Sequence, residues 1–371
     1  MHLKNRTVVV TDGRYRAALA AVRSLGEAGY RVVVTQTQAD SPVTPAAFQS
    51  RYAAKVRWLK GSCKDADYAP RLLAYLQEFD RPILFCVGAD SLNMVSRQRE
   101  RFAQVADFLI APSQVLDDLN DKEIVHQRAL ELDIPVPKEY DGVPEKYPVV
   151  LKPHCGEKFG LKAADRYVIA HNQEEYLENY QAMSSYDTPI VQEMLEGYGE
   201  GVNLLLGEES QLLCALCHRR EREYPITGGP STCCMSFYNA KKIDQAHRLL
   251  ASFGFVGMAM VEFKDNRVLE VNPRVWGSFP LTACCGSPFA SLYAQAAAGE
   301  PCQYTPKDYE LGIKMRYLFN DGLATLAYLR HGKFVEALEG VADFFLVPEA
   351  LKRKGDMGAY WAYLRNSLRN H

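Results

Sequence analysis

Short apolar runs alternate with amphipathic stretches along the first 110 residues. Residues 7–11 (TVVVT) read as a buried strand, 17–29 as a helix closed by Gly29, and 31–36 as the next strand. A helix over 70–79 and a strand over 83–87 follow. Strands alternating with helices in this way predict βαβ units and a parallel sheet. The pattern changes at Pro112. Asn120 or Asp121 caps a helix that ends before Pro135 and Pro137, and the stretch 111–120 reads as a boundary. Strands are predicted at 147–153, 166–170 and 189–195, with a helix over 174–183. Two further strands, 201–207 and 211–222, are joined by a turn at 207–210, and a helix over 243–253 leads to a hairpin over 258–273. Beyond residue 305 the chain looks helical. The expectation is an α/β protein, with a parallel-sheet unit up to the boundary near 111–120, a mixed stretch of strands and helices after it, and a helical remainder from about 305.

Composition narrows the class. The chain has 371 residues, 47% hydrophobic and 24% charged, with a net charge of −2. Such a balance opposes nucleic acid held mainly by charge, although a local basic site is compatible with it. No apolar run approaches the roughly 20 residues of a membrane span. The opening MHLKNRTVVVTDG lacks the apolar stretch and cleavage site of a signal peptide. The expected location is cytoplasmic, with neither membrane nor nucleic acid as partner. The ten cysteines, which include the adjacent pairs Cys233-Cys234 and Cys284-Cys285, then read as small buried apolar residues.

One segment, QLLCALCHRREREYP at 211–225, offers competing chemistries. Cys214, Cys217 and His218 match the CxxCH of c-type haem attachment. Arg219, Arg220 and Arg222 resemble a clamp for phosphate or carboxylate. On a strand, Cys214 and Cys217 point to opposite faces and cannot share one haem. The same alternation groups His218, Arg220 and Arg222, and sets Arg219 with Glu221 and Glu223. Arg220 and Arg222 are therefore expected to face an anionic ligand, and Arg219 to be structural. The first strand runs into TDGRYRAALA, without the GxGxxG that brings backbone close to a pyrophosphate, which opposes a nicotinamide site. At the end of strand 83–87, Asp90 and Ser91 are either ligand contacts at a sheet edge or helix caps.

The hairpin over 258–273 carries the strongest signal. Glu270 and Asn272 are two apart on one strand and share a face. A three-residue loop, Asp265-Asn266-Arg267, would pair Glu262 directly with Glu270 and turn Val261, Phe263, Leu269 and Val271 to the buried face. Two carboxylates and an amide converging in this way suit a hard cation such as Mg²⁺ bridged to phosphates. Solvated acids on an edge hairpin fit the same alternation. Asn272-Pro273-Arg274 then adds an arginine suited to an anion. Lys122, in the first turn of its helix where the dipole disfavours a cation, is either surface or placed to meet an anion.

Taken in order, these motifs resemble the ATP-grasp superfamily, over about residues 1–305. EF…LEVNPR resembles its metal-binding hairpin, with Glu262, Glu270 and Asn272 as implied ligands. Lys122 in NDKEIVHQRALELDIPVP and Lys152 in YPVVLKP match its two nucleotide lysines. VQEML matches the adenine hinge, which implies Gln192, Glu193 and Leu195 at the base, with Glu200 at the ribose. The resemblance implies a Rossmann-like parallel sheet over 1–112, the domain that usually precedes ATP-grasp, then a two-lobed α+β ATP-grasp unit divided into 113–190 and 191–305, and leaves 306–371 as a helical C-terminal extension. HRREREYPITGGPS further resembles a branch of carboxylate-amine ligases. The resemblance implies ATP and Mg²⁺, with Mn²⁺ able to stand in. It also implies small-molecule carboxylate and amine substrates and leaves a homodimer open. In the implied reaction a carboxylate becomes an acyl phosphate and is captured by an amine, with Arg274, Arg220 and Arg222 acting on the transferred charge. An ATP-dependent carboxylase or carbamoyl-transfer enzyme using bicarbonate, and an ATP-binding regulatory protein without turnover, are the alternatives. The loop after Lys152 departs from the family in holding only Gly156 and Gly160, where Lys158 and Lys162 would supply charge instead.

Overall fold

The computed structural model describes residues 6–154, 167–226 and 229–369. The first apolar runs form a parallel sheet of β1 (Thr7–Val10), β2 (Arg31–Thr37), β3 (Ala53–Leu59) and β4 (Ile83–Phe85), in the order β3-β2-β1-β4. Val8, Val9, Val10, Val32, Val33 and Val34 are fully buried, which explains why β1 and β2 read as unbroken apolar runs. β3 is different: it is a mostly exposed edge strand carrying Lys55 and Arg57, so the apolar pattern passes over it. Helices α1 (Arg16–Glu27), α2 (Tyr68–Leu76), α3 (Ala89–Arg97) and α4 (Arg99–Ala103) complete this unit.

Neither Asp90 nor Ser91 caps α3, because Gly88 holds the N-cap position. Ser91 instead directs its hydroxyl to the carboxylate of Asp12, which also accepts the Gly88 N–H at 2.9 Å. The loops after β1 and β4 are thereby tied to each other.

Next come α5 (Ser113–Asn120) and α6 (Lys122–Glu131). Asp121 caps α6 by accepting the N–H groups of Glu123 and Ile124. A small antiparallel sheet follows, in the order β6-β5-β7: β5 (Val149–Lys152), β6 (Val168–Ala170) and β7 (Ile190–Glu193), covered by α7 (Gln173–Met183). The large sheet has the order β12-β11-β8-β9-β10-β13. Its strands are β8 (Gly199–Leu206), β9 (Leu212–Glu223), β10 (Ser231–Phe237), β11 (Gly257–Lys264), β12 (Arg267–Asn272) and β13 (Lys314–Arg316). Its helices are α8 (Ala240–Ala251), α9 (Pro280–Cys284) and α10 (Phe289–Ala297).

The segment beyond 305 is helical in α11 (Leu318–Arg330), α12 (Phe334–Leu346) and α13 (Met357–Arg369), but it is no detached tail. β13 pairs with β10 and completes the large sheet. Asp356, just before α13, accepts from Arg23 Nε (2.7 Å), Ser50 Oγ (2.8 Å) and the Arg51 N–H (2.8 Å) of the N-terminal unit. Two apolar cores each draw side chains from both the parallel and the large sheet. The C-terminus thus locks the two sheets into one body. Among the described residues, no helix is long and apolar enough to cross a membrane.

Candidate nucleotide and metal site

The large sheet arranges its polar residues in a row. Glu270 pairs with Glu262, Glu262 with Gly201, and Gly201 with His218. Residues paired directly across strands project from the same face. Side chains at Glu270, Glu262 and His218 therefore share one surface, with a gap at Gly201. That gap is used: a Cβ on Gly201 would stand 2.2 Å from the His218 ring, and one on Gly199 would stand 3.3 Å from Arg220 Cδ. Two glycines on one face of β8 open a lane across which Arg220 reaches Glu262 at 2.5 Å.

The Glu262–Glu270 pairing arises by a different route from the expected loop. The turn has two residues, Asp265 and Asn266, both left-handed (φ 46° and 59°), as tight hairpins require. A register shift beside Glu262 then places Leu269 as an extra residue in β12. Val268, not Leu269, pairs with Phe263 and is fully buried. The bulge leaves the Leu269 carbonyl to accept from His126 Nε2 at 3.0 Å.

Cations converge on the two acids. Asn272 Nδ2 lies 3.2 Å from one oxygen of each carboxylate, and its Oδ1 accepts from Arg274 Nη2 at 3.1 Å. Lys122 Nζ, at the first position of α6, is 3.4 Å from Glu270. Lys152, at the end of β5, is 8% exposed and has no hydrogen-bond partner among the described residues. Burial, with the charge of Lys122 beside it, pushes its pKa down to about 8. Burial alone would raise Glu270, yet Lys122 and Lys152 hold it at about 2. Burial lifts Glu262 above the usual carboxylate range against the pull of Arg220.

A divalent cation fits this donor set. Asn272 Nδ2 touches one oxygen of each carboxylate, so both acids already converge on a single point. The two carboxylates supply the oxygen donors hard cations take, and Asn272 would join them by turning its Oδ1, which now accepts from Arg274, toward the acids. The described residues hold no cluster of three or more His, Cys, Asp or Glu that would make an all-protein cage. The remaining ligands would have to come from water or phosphate.

The strand expected to serve as the hinge is held on both sides. β7 pairs with β5, while Tyr140 N–H donates to the Val191 carbonyl and Glu193 N–H to that of Lys138. The backbone N–H groups of Met194 and Leu195, just beyond, carry no partner among the described residues. Gln192 points inward to Glu139 (2.8 Å) and His126 (3.1 Å). Through His126 it links hinge, α6 and the hairpin bulge. The Glu193 carboxylate accepts the Lys138 N–H at 2.8 Å.

Two expected residues are set apart. Glu200 neighbours Gly201, so alternation turns it to the opposite face of β8, where it pairs with Lys242 of α8. Arg222 is fully buried between Asp321 (2.8 and 2.9 Å) and Asp343 (2.9 Å). The register of β9 with β10 shifts on both sides of Arg222, so the alternation that begins at Arg220 does not carry to it. Arg219 bonds Glu221 at 2.7 Å.

The haem alternative fails on geometry. Cys214 lies in one apolar core and Cys217 in the other, on opposite faces of β9. All nine described cysteines are free, and burial pushes Cys217, Cys233 and Cys285 up to about 12. The loop residues Gly156, Lys158, Gly160 and Lys162 lie outside the described residues.

Sequence reading missed a chain behind Arg220. Asn203 Nδ2 donates to the Leu216 carbonyl (2.8 Å) and sits 3.0 Å from His218 Nδ1. That contact makes Nδ1 the acceptor and Nε2 the protonated nitrogen, 3.0 Å from Ser278 Oγ. Burial, then Arg220, pushes His218 down to about 3, so the ring is neutral. The alternating glycines in Gly199-Glu200-Gly201 were the available signal.

Residues 119–278 match the family model described as the ATP-grasp domain, so this part of the chain is an ATP-grasp domain. The match spans every residue of the site from Lys122 to Ser278. Solved structures agree in fold. The biotin carboxylase domain of Hydrogenobacter thermophilus 2-oxoglutarate carboxylase, in complex with MgADP, ADP and bicarbonate, superposes with a TM-score of 0.62. The identity is 14%, over 83% of this chain and 73% of that one. Biotin carboxylase from Campylobacter jejuni, in complex with β-γ-ATP, gives 0.61 at 14% identity, over 84% and 75%. The biotin carboxylase subunit of pyruvate carboxylase gives 0.56 at 15% identity, over 84% and 73%. No curated protein matches the chain by sequence.

Proposed function

We propose that this protein is an ATP-dependent ligase that activates a small carboxylic acid as an acyl phosphate and joins it to an amine, releasing ADP and phosphate. The observation that carries the reading is the meeting of the buried Lys152 and the partly buried Lys122 with the paired Glu262 and Glu270 beside Arg220 and Arg274. A buried ammonium without a partner is costly, and a phosphate offsets that cost. In this role Lys152 and Lys122 hold nucleotide phosphates, and the free N–H groups of Met194 and Leu195 receive the adenine. Arg274 faces the transferred phosphoryl group. Glu262, Glu270 and Asn272 would hold Mg²⁺, whose chemistry when bound is to neutralise the phosphate oxygens.

The reaction balances without a protein nucleophile. A carboxylate oxygen attacks the γ-phosphorus, and the bond from that phosphorus to the β-bridging oxygen breaks as ADP leaves. The amine lone pair then attacks the acyl carbon, phosphate departs, and the amine loses one proton. Positioning and charge account for nearly all of the catalysis.

Bicarbonate as the acid is the second reading, favoured by the carboxylase structures that share the fold. ADP release measured with pools of carboxylic acids and amines, with and without bicarbonate, separates the two. Release that needs an acid-amine pair supports ligation, and release that needs bicarbonate supports carboxylation. ATP binding without turnover in any pool would overturn both.

A further inference from the structure

Helix α12 is inverted for a surface helix. Ala337, Gly340 and Asp343 face the body, where Gly340 packs against Thr325 of α11 and Asp343 pairs with Arg222. The outward arc carries Phe334, Val335, Leu338, Val341, Phe345 and Leu346, each between 53% and 81% exposed. Their spacing, 334/335, 338, 341 and 345/346, follows the helical period and makes one stripe. Together they offer roughly 800 Å² of apolar surface, given about 150–250 Å² for a large aromatic side chain and somewhat less for Leu or Val. The largest patch on a typical monomer is about 300–600 Å², whereas each partner of a standard interface contributes about 800 Å².

We propose that this stripe is a two-fold interface, and that its occupant is the same stripe of a second copy of this chain. Area is the first reason: α12 alone supplies one side of a stable dimer. Shape is the second. α11 and α12 form an antiparallel pair, and two such pairs packed stripe to stripe close a four-helix bundle, a self-complementary arrangement that ends at the dimer. Charge is the third. The charged residues within α12 are Glu336, Glu339 and Asp343, so the helix lacks the Lys and Arg that hold an amphipathic helix to an anionic bilayer.

Sedimentation velocity of the full chain at low micromolar concentration tests this. The expected species has twice the 41.7 kDa chain mass. The double variant Leu338→Glu/Phe345→Glu should sediment as a monomer with an unchanged near-ultraviolet circular dichroism spectrum. Val341→Cys, near the centre of the stripe, should cross-link into dimers with a short bismaleimide where the wild type does not. A monomeric wild type, a double variant that stays dimeric, or absence of the Val341→Cys cross-link would overturn the proposal. So would a monomeric wild type that floats with phosphatidylcholine/phosphatidylserine vesicles, which would assign the stripe to lipid.

Discussion

Lys152→Met should change stability and ligand binding in opposite directions. The ammonium sits at the end of β5, 8% exposed, with its pKa at about 8 against 10.5 in an open chain. In the unfolded chain the group stays protonated to about 10.5, and in the folded chain only to about 8. Below pH 8 both states carry the proton and the folded state bears the full cost of the buried charge. That cost shrinks as pH climbs from 8 to 10.5 and is gone above. At about 1.4 kcal/mol per pKa unit its ceiling is about 3 kcal/mol. Methionine keeps the length and removes the charge, and some packing of the lysine stem is lost. A net gain of about 1–2 kcal/mol follows, or roughly 1–3 °C in Tm at pH 7 for a chain of this length. The assay is thermal unfolding from pH 6 to 10, with and without Mg-ATP. The nucleotide-free variant should melt above wild type at pH 7 and converge with it near pH 10. Mg-ATP should raise the Tm of wild type alone. A variant that melts at or below wild type at pH 7, or that keeps the nucleotide-dependent rise, would refute the reasoning.

Glu270→Ala should abolish metal-dependent turnover and leave the circular dichroism spectrum unchanged; normal ADP release in that variant would remove the hairpin from the site. Because Glu270 is held at about 2, below its open-chain value of 4.5, the stability it contributes is full above pH 4.5 and lost towards pH 2. The acid limb of a wild-type stability profile should therefore be steeper than that of Glu270→Ala. Arg222→Leu leaves Asp321 and Asp343 buried without their main partner, a loss of about 3 kcal/mol in urea unfolding, with kcat/KM per folded molecule unchanged. Arg220→Ala should do the reverse, costing turnover more than stability. Gly201→Ala places a methyl 2.2 Å from the His218 ring, so unfolding free energy should fall by about 1–3 kcal/mol and turnover by tenfold or more; a structure of that variant with His218 unmoved would contradict the lane.

Periodicity was a good guide wherever burial dictated side-chain choice. β1, β2 and β4 are buried on both faces and declare themselves as apolar runs, while β3 is an exposed edge built from Ala, Lys and Arg and does not. The hairpin was legible because Glu270 and Asn272 need only period two to share a face. Its turn was not. A two-residue loop plus a bulge gives the same Glu262–Glu270 pairing as a three-residue loop, and Leu269 looks like any strand residue. Arg222 shows the limit of the same rule. Alternation is local to an unbroken ladder, and a register shift separates Arg222 from the face of Arg220. The partners that claim it, Asp321 and Asp343, lie about a hundred residues away in a segment whose own pattern says only "helix". β13 was hidden likewise: three residues, Lys314–Arg316, are too short for periodicity, and only their pairing with Cys233, Cys234 and Met235 makes them a strand.

Charge accounting at the site explains why its lysines can be so poorly satisfied. Lys122, Lys152, Arg220 and Arg274 face the carboxylates of Glu262 and Glu270, with Glu223 at the far side of Arg220, which leaves an excess of positive charge in a largely buried space. Part of that surplus is absorbed locally: Arg220 sits on Glu262, and Glu270 is drawn down to about 2 by both lysines. What is left falls on Lys152, the more buried of the two site lysines, whose pKa drops through burial first and the charge of Lys122 second. A nucleotide triphosphate with one bound Mg²⁺ is still an anion, of charge about −2 near neutral pH, and so opposes that excess. In the proposed role, Glu262 and Glu270 are thus more than metal ligands. They keep the cations from repelling one another before nucleotide arrives, and Asn272, touching both acids and Arg274, ties the metal end of the site to the phosphoryl end.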